Sequence, residues 1–296
     1  MYKLAKPLFI HCQSPMHVGS GSDLGLVDLP IQRESHTGFP KIEASSLKGA
    51  IRENFEGKAT KKEDWIDIQL LFGFDDDSLC DEVKKEFSTQ KDRDFSGALA
   101  FSDARLLFFP VKSFKGIFAY VTCPQVLERF KKDLAICGEK DENLKKLKAS
   151  INLADIESTV ADKEYLCTKK AEDKWQVILE EYAFEVKKND NTEGLANALS
   201  QHLEIHINER IVILPDNIFS DFVKLFTEAI TRNKIDNAKG TVAKGALFTE
   251  EYLPAESVLY SLVFANSIFT SDDKRKGSFK KDAQESEEQK FRTTFN

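Results

Sequence analysis

Cysteine is scarce in this 296-residue chain: five residues, at positions 12, 80, 123, 137 and 167, an odd number with no C-x-x-C pair among them. That excludes a disulfide framework and a thiolate zinc site and points to a reduced, cytoplasmic setting. Long apolar runs are missing too. None approaches the roughly 18 residues of a membrane span, and the N-terminal Met-Tyr-Lys-Leu-Ala-Lys-Pro has no apolar core of a signal peptide, so no membrane partner is expected. Nor is there a basic excess. The 42 Lys and Arg are outnumbered by 49 Asp and Glu, for a net charge of -7, so a nucleic acid would have to be held in a local groove and not by a broad basic field. Only 14 Gly and 8 Pro occur beside 41% hydrophobic and 31% charged residues, the composition of a folded globular chain with a real core and not of a disordered or collagen-like one.

The common catalytic signatures fail on spacing. Gly19-x-Gly21 is followed by Gly25, one residue late for G-x-G-x-x-G, and no G-x-x-x-x-G-K-[ST] occurs. His202 and His206 stand at i, i+4, but Leu203 replaces the glutamate of H-E-x-x-H and no third ligand is in view. Ser, His and Asp are present by type, without a nucleophile elbow.

What remains reads as a mixed chain. Leu8 to Cys12 is β-prone and bracketed by Pro7 and Pro15, which predicts a short strand, and residues 17–25, rich in glycine, predict a loop. The stretch from Ser45 to Phe55 has a Ser cap, then Leu47, Ile51 and Phe55 on one face and Gly57 as a stop, a helix of three turns. Residues 97–103 and 105–110 predict two strands separated by a polar break. A helix should follow Pro124, with Val126, Leu127, Phe130 and Leu134 inward, and a strongly amphipathic one should start at Asp216 as its cap. Residues 138–150 are charge-dense, the pattern of a solvated face or an insertion loop. A hairpin turning at Asn237 to Gly240 is expected within 231–245, a buried strand over Val258 to Ala265, and a charged tail after Ser271.

Two constellations carry chemistry. Lys48 and Arg52 are one helical turn apart near a helix start and form either a phosphate grip or a salt-bridged face with Glu53 and Glu56. Asp28 closes the glycine loop that His17 opens, and is either a turn residue or a carboxylate offered to substrate.

A set of strings makes the sequence resemble a known family: His17 to Asp23, Leu26-Val-Asp-Leu-Pro-Ile-Gln-Arg-Glu34, Gly38 to Glu43, Ser45-Ser-Leu-Lys-Gly49 with Arg52, Leu71-Phe-Gly73, Gly97 to Ala104 and Leu247-Phe-Thr-Glu-Glu-Tyr-Leu-Pro254. It resembles the RAMP superfamily, and within it the repeated backbone subunit of type III-B CRISPR effector complexes. The narrower strings, Val27 to Glu34, Glu250 to Pro254, Phe109 to Ser113 and Gly116 to Pro124, point to that subunit. The resemblance covers Leu8 to Ala265.

It implies an α+β fold: a modified ferredoxin-like, RRM-like palm spanning residues 1–270, with insertions at about 138–175 and a projecting β-hairpin thumb at 231–245, and a charged tail over 271–296. It implies a cytoplasmic antiviral assembly in which copies stack into a helical filament with other subunits along a CRISPR guide RNA and cut the paired target RNA at regular intervals. The alternative is a non-catalytic module that only binds guide RNA and assembles. By the resemblance Asp28 is the cleavage aspartate and the ligand of a divalent ion, Mg²⁺ or Mn²⁺, with His17, Glu250 and Tyr252 lining the same cut site. Ser46, Lys48 and Arg52 fall in the guide-holding element, and Lys112 and Lys239 complete the expected RNA contacts. Ala44 stands where the family usually has glycine, Asn233 and Lys234 replace more apolar residues, and the chain ends at Asn296 without the family's glycine-rich last strand, as a shortened member or a truncated frame would.

Overall fold

The computed structural model describes residues 4–268 apart from 24, 26, 76–78, 80, 88–94, 138–141, 153–157, 173, 204 and 237–238. Cys80, the centre of the hairpin turn and the expected tail therefore lie outside the described residues. The chain divides into two compact units: Met1–Leu8, Glu43–Asp103 and Ser261–Asn296 form one, and Phe9–Ile42 with Ala104–Tyr260 form the other. No helix among the described residues is long and apolar enough to cross a membrane.

Among the described residues the strands are β1 (Leu4–His11), β2 (Lys41–Ile42), β3 (Leu99–Phe101), β4 (Ala104–Lys112), β5 (Phe118–Thr122), β6 (Thr159–Val160), β7 (Cys167–Ala171), β8 (Lys174–Leu179), β9 (Tyr182–Lys188), β10 (Ile211–Ile213), β11 (Glu228–Asp236), β12 (Thr241–Tyr252) and β13 (Val258–Ala265). β1 begins four residues earlier than expected and runs through Pro7; it is an edge strand, where a missing N–H is tolerated.

In the first unit α1 (Ala44–Glu56) packs with α2 (Lys62–Phe72) and α3 (Asp81–Glu86) on β3, which pairs antiparallel with Val263 to Ala265 of β13. Leu47 is buried, and Ile51 and Phe55 pack against a core of Leu70, Leu71, Phe72, Val83 and Leu99. The expected cap is displaced. The helix starts at Ala44, whose N–H donates to Asp103 Oδ1 at 2.9 Å, so Ser45 lies inside the first turn and a carboxylate distant in sequence does the capping. Leu71-Phe-Gly73 and Gly97 are explained by a close backbone approach: a Cβ on Gly97 would sit 2.5 Å from Gly73 N and from Phe72 C.

In the second unit β4 pairs antiparallel with β2, with Val258 to Tyr260 of β13 and with β5; β5 runs parallel to β10, and β10, β6, β9, β8 and β7 continue outward. α4 (Pro124–Ile136) buries Val126, Leu127, Phe130 and Leu134 as its period requires. The charge-dense segment is not a loop where it is described. Glu142–Ser150 is a helix, α5, because Leu144 and Leu147 at i, i+3 suffice to bury one edge. α6 (Lys163–Leu166) and α7 (Asp190–Ser200) precede α8 (Asp216–Leu225), which buries Phe219, Phe222 and Val223. Asp216 does not cap its own helix; its Oδ1 accepts from Gln125 N at 2.9 Å and so holds the start of α4. β11 and β12 form a two-stranded ribbon, longer than expected from the turn alone, paired from Glu228↔Tyr252 to Asp236↔Thr241 with an irregularity between Asn233 and Ile235. His202 packs its ring against Phe9.

Candidate active site

The base of the ribbon gathers the four residues expected at a cut site. Alternation along β12 puts Glu250 and Tyr252 on one face and Thr249 and Glu251 on the other. Tyr252 Oη donates to Glu250 Oε2 at 2.5 Å. Asp28 lies in the loop segment that runs beside β12, where Leu29 and Glu250 form a parallel bridge, Leu29 N–H donates to Thr249 O and Glu251 N–H to Leu29 O. Its Oδ2 accepts from Thr249 N at 2.7 Å, and its side chain is otherwise exposed. His17 arrives on the neighbouring segment, tied by Met16 and Leu253, which exchange both main-chain hydrogen bonds. Its Nδ1 donates to Glu251 O at 2.7 Å, which leaves Nε2 as the acceptor of the neutral ring, and its ring tilts on Tyr252 with centroids 5.4 Å apart. Thus His17, Asp28, Glu250 and Tyr252 all lie on or are bonded to residues 249–252.

Sequence reasoning missed the cation of this cluster. Arg232, opposite Phe248 on β11, donates from Nε to Glu250 Oε2 at 2.5 Å and from Nη2 to Tyr252 Oη at 2.7 Å, with its guanidinium over the Tyr252 ring. The hydrogen bond from Tyr252 first, then the bond and charge of Arg232, hold the Glu250 carboxyl below its usual value, so it is an anion at neutral pH. Gly19 was also missed as a site residue. A Cβ there would stand 3.0 Å from His17 Nε2, so a side chain at this position would crowd that nitrogen.

A family model described as the RAMP superfamily matches residues 9–296. The chain belongs to the RAMP superfamily. It is 37% identical over 271 residues, spanning 89% of this chain and 82% of the relative, to the Pyrococcus furiosus protein named "CRISPR system Cmr endoribonuclease Cmr4". A Saccharolobus solfataricus protein named "CRISPR system CMR subunit Cmr4" is 26% identical over 286 residues, 89% of this chain and 85% of that one. The structure of oligomeric Cmr4 from Pyrococcus furiosus superposes with a TM-score of 0.59 at 29% identity, over 91% of this chain and 84% of that one. A chain of the type III-B Cmr-beta complex bound to cognate target RNA gives 0.70 at 23% identity, over 90% and 85%, a likeness of fold. The mixed α+β architecture is therefore that of the RAMP fold.

The residues expected to hold RNA are more dispersed in this RAMP protein. In the first unit Ser46 is exposed on α1, and Lys48 lines a cavity of about 720 Å³ with Gly73, Phe74, Phe95 and Gly97. Burial, and then the charge of Arg52, lower the Lys48 pKa. Arg52 is committed to the fold: Nε donates to Glu56 Oε1 at 2.7 Å, Nη1 donates to Gly73 O at 3.1 Å, and the side chain is 16% exposed. In the second unit Lys112 is exposed at the end of β4, opposite Phe118, and Lys239 is exposed at the ribbon turn.

Among the described residues no group of three or more His, Cys, Asp or Glu is placed to hold a metal ion. Glu250 is taken by Arg232 and Tyr252, whereas Asp28 keeps Oδ1 without a hydrogen-bond partner among the described residues. That donor set fits a hard cation bound through one carboxylate with the rest of its shell from phosphate and water, as Mg²⁺ commonly is, and does not fit a cage made by the protein.

Proposed function

We propose that this protein is the repeated backbone subunit of a type III-B CRISPR effector complex, an antiviral assembly of the cytoplasm that holds guide RNA and cuts complementary target RNA at regular intervals. The observation that carries this reading is the convergence of His17, Asp28, Glu250 and Tyr252 on residues 249–252. It is supported by a relative of known endoribonuclease name and by an oligomeric one. The partners are guide RNA, target RNA, the other subunits of the complex and further copies of the chain. Guide pairing supplies sequence specificity, so the protein reads backbone and shape.

The reaction is transesterification: a ribose 2'-oxygen bonds to the adjacent phosphorus, the bond from phosphorus to the 5'-oxygen breaks, and a 2',3'-cyclic phosphate and a 5'-hydroxyl result. His17 Nε2 takes the 2'-proton, a role for which its ring is already oriented by Glu251 O. Arg232 faces the phosphate oxygens, and Glu250 holds that guanidinium and the Tyr252 hydroxyl in place. The leaving 5'-oxygen takes its proton from water. Asp28 would hold Mg²⁺ or Mn²⁺, which supplies charge neutralisation at the phosphate when bound. The ribbon thumb bends the strand toward the in-line arrangement that relaxed A-form RNA lacks.

The test is target RNA cleavage by a complex reconstituted with guide RNA and partner subunits, with Mg²⁺ or Mn²⁺. A ladder of cuts with cyclic-phosphate ends, absent with Asp28→Ala despite equal target binding, is the expected result. Assembly and target binding without cuts by the wild type would overturn cleavage and leave an assembly module.

A further inference from the structure

Glu250 and Glu251 are neighbours with opposite surroundings. Glu250 faces the reacting side, whereas Glu251 is buried, 7% exposed, on the other face of β12. Three donors converge on its carboxylate. Ile31 N–H donates to Oε2 at 3.0 Å, Thr227 Oγ1 donates to Oε1 at 2.7 Å, and Arg33 Nη2 donates to the same Oε1. Arg33 in turn donates from Nη1 to Gly38 O at 2.7 Å. Burial would raise the Glu251 pKa, but the bonds from Thr227, Ile31 and Arg33 bring it below the ordinary value. It is therefore a charged anchor in a dry place, bonded to the segment that carries Asp28.

We propose that the Glu251–Arg33 pair is a clasp that positions Asp28 for cleavage. Ile31 and Arg33 are three and five residues beyond Asp28. Next to Asp28, Leu29 N–H donates to Thr249 O and Glu251 N–H to Leu29 O, and Thr249 N–H ends on Asp28 itself. The peptide carbonyl of the same Glu251 orients His17. One residue thus sets the aspartate through its side chain and the histidine through its backbone, and touches no substrate. Glu251 and Arg33 are positioning residues, and the inference rests on the cleavage reading above.

Glu251→Gln tests it in the assembled complex. Whichever way it is turned, an amide presents its NH₂ to Arg33 Nη2 or to Ile31 N–H, both of which can only donate, so the clasp opens with little change of shape. The expected result is a fall of tenfold or more in the single-turnover cleavage rate at saturating target, with guide binding and the half-saturating target concentration changed less than twofold. The amides of Leu29 and Ile31 should exchange with solvent faster, while those of β10 do not. Thr227→Val removes one donor and should slow cleavage two- to fivefold with the same split; it serves if Glu251→Gln does not assemble. Cleavage at the wild-type rate by these variants, or a loss that follows guide binding and assembly in proportion, overturns the clasp. If the wild-type complex binds target and does not cut, the cleavage reading fails instead; the clasp then stands or falls on the exchange of Leu29 and Ile31 alone.

Discussion

The base of the β11–β12 ribbon and the start of α1 are both polar, yet they are organised in opposite ways. At the ribbon, polar side chains bond one another around residues 249–252, so the arrangement is preset before any ligand arrives. On α1 the most conspicuous cation, Arg52, is consumed by Glu56 and Gly73 O, and Lys48 is half-buried. On the proposed function, cutting and holding are separate tasks: the cluster proposed to cut is a fixed constellation, whereas the surface proposed to hold RNA offers few free charges per copy, which suits an acidic protein that accumulates contacts along a strand.

The sharpest way to break that contrast is Asp28→Ala. It should lower target cleavage by about 10²-fold or more, within the usual effect of losing a charged catalytic group, and leave guide binding unchanged, as measured by single-turnover cleavage beside filter binding. Arg232→Ala should cost about tenfold or more and also change the pH response. The Glu250 carboxyl lies below its ordinary value, so the network it holds is present above that ordinary value and is lost as pH falls through the lowered one. Without Arg232 the pH at which the Glu250 carboxyl takes up its proton should rise, read by NMR titration of that carboxyl. On α1 the two cations should separate. Arg52→Ala should lower stability by about 1–3 kcal/mol through orphaned partners, read by denaturant unfolding, whereas Lys48→Ala should leave stability alone and reduce the salt slope of guide binding by about 0.7 per copy. Gly19→Ala is the smallest change; its methyl against His17 Nε2 should slow cleavage a few-fold with unfolding unaltered.

Much of the fold was legible where one period dominates. α1, α4, α8 and β13 follow from apolar spacing, because each buries one continuous stripe or run. Residues 159–213 were not legible: their strands are short, and β6 and β10 are held by partners distant in sequence. The caps misled for the same reason, since Asp103, distant in sequence, caps α1 in place of Ser45, and Asp216 holds the start of α4 and not its own helix. At the site, residue chemistry alone left Asp28 open as a turn residue, and family resemblance linked positions 17, 28, 250 and 252. Arg232 escaped both because its approach to Glu250 depends on the register of the ribbon, which the irregularity at Asn233 hides from simple alternation.

The most direct test places Asp28→Ala and Lys48→Ala side by side in complexes with guide RNA, measuring bound target and cut target in the same reaction across a salt series. Asp28→Ala should bind as the wild type does and not cut; Lys48→Ala should bind less as salt rises and cut a normal fraction of what it binds. Loss of cutting per bound target in Lys48→Ala, or loss of binding in Asp28→Ala, would contradict the separation of the two tasks.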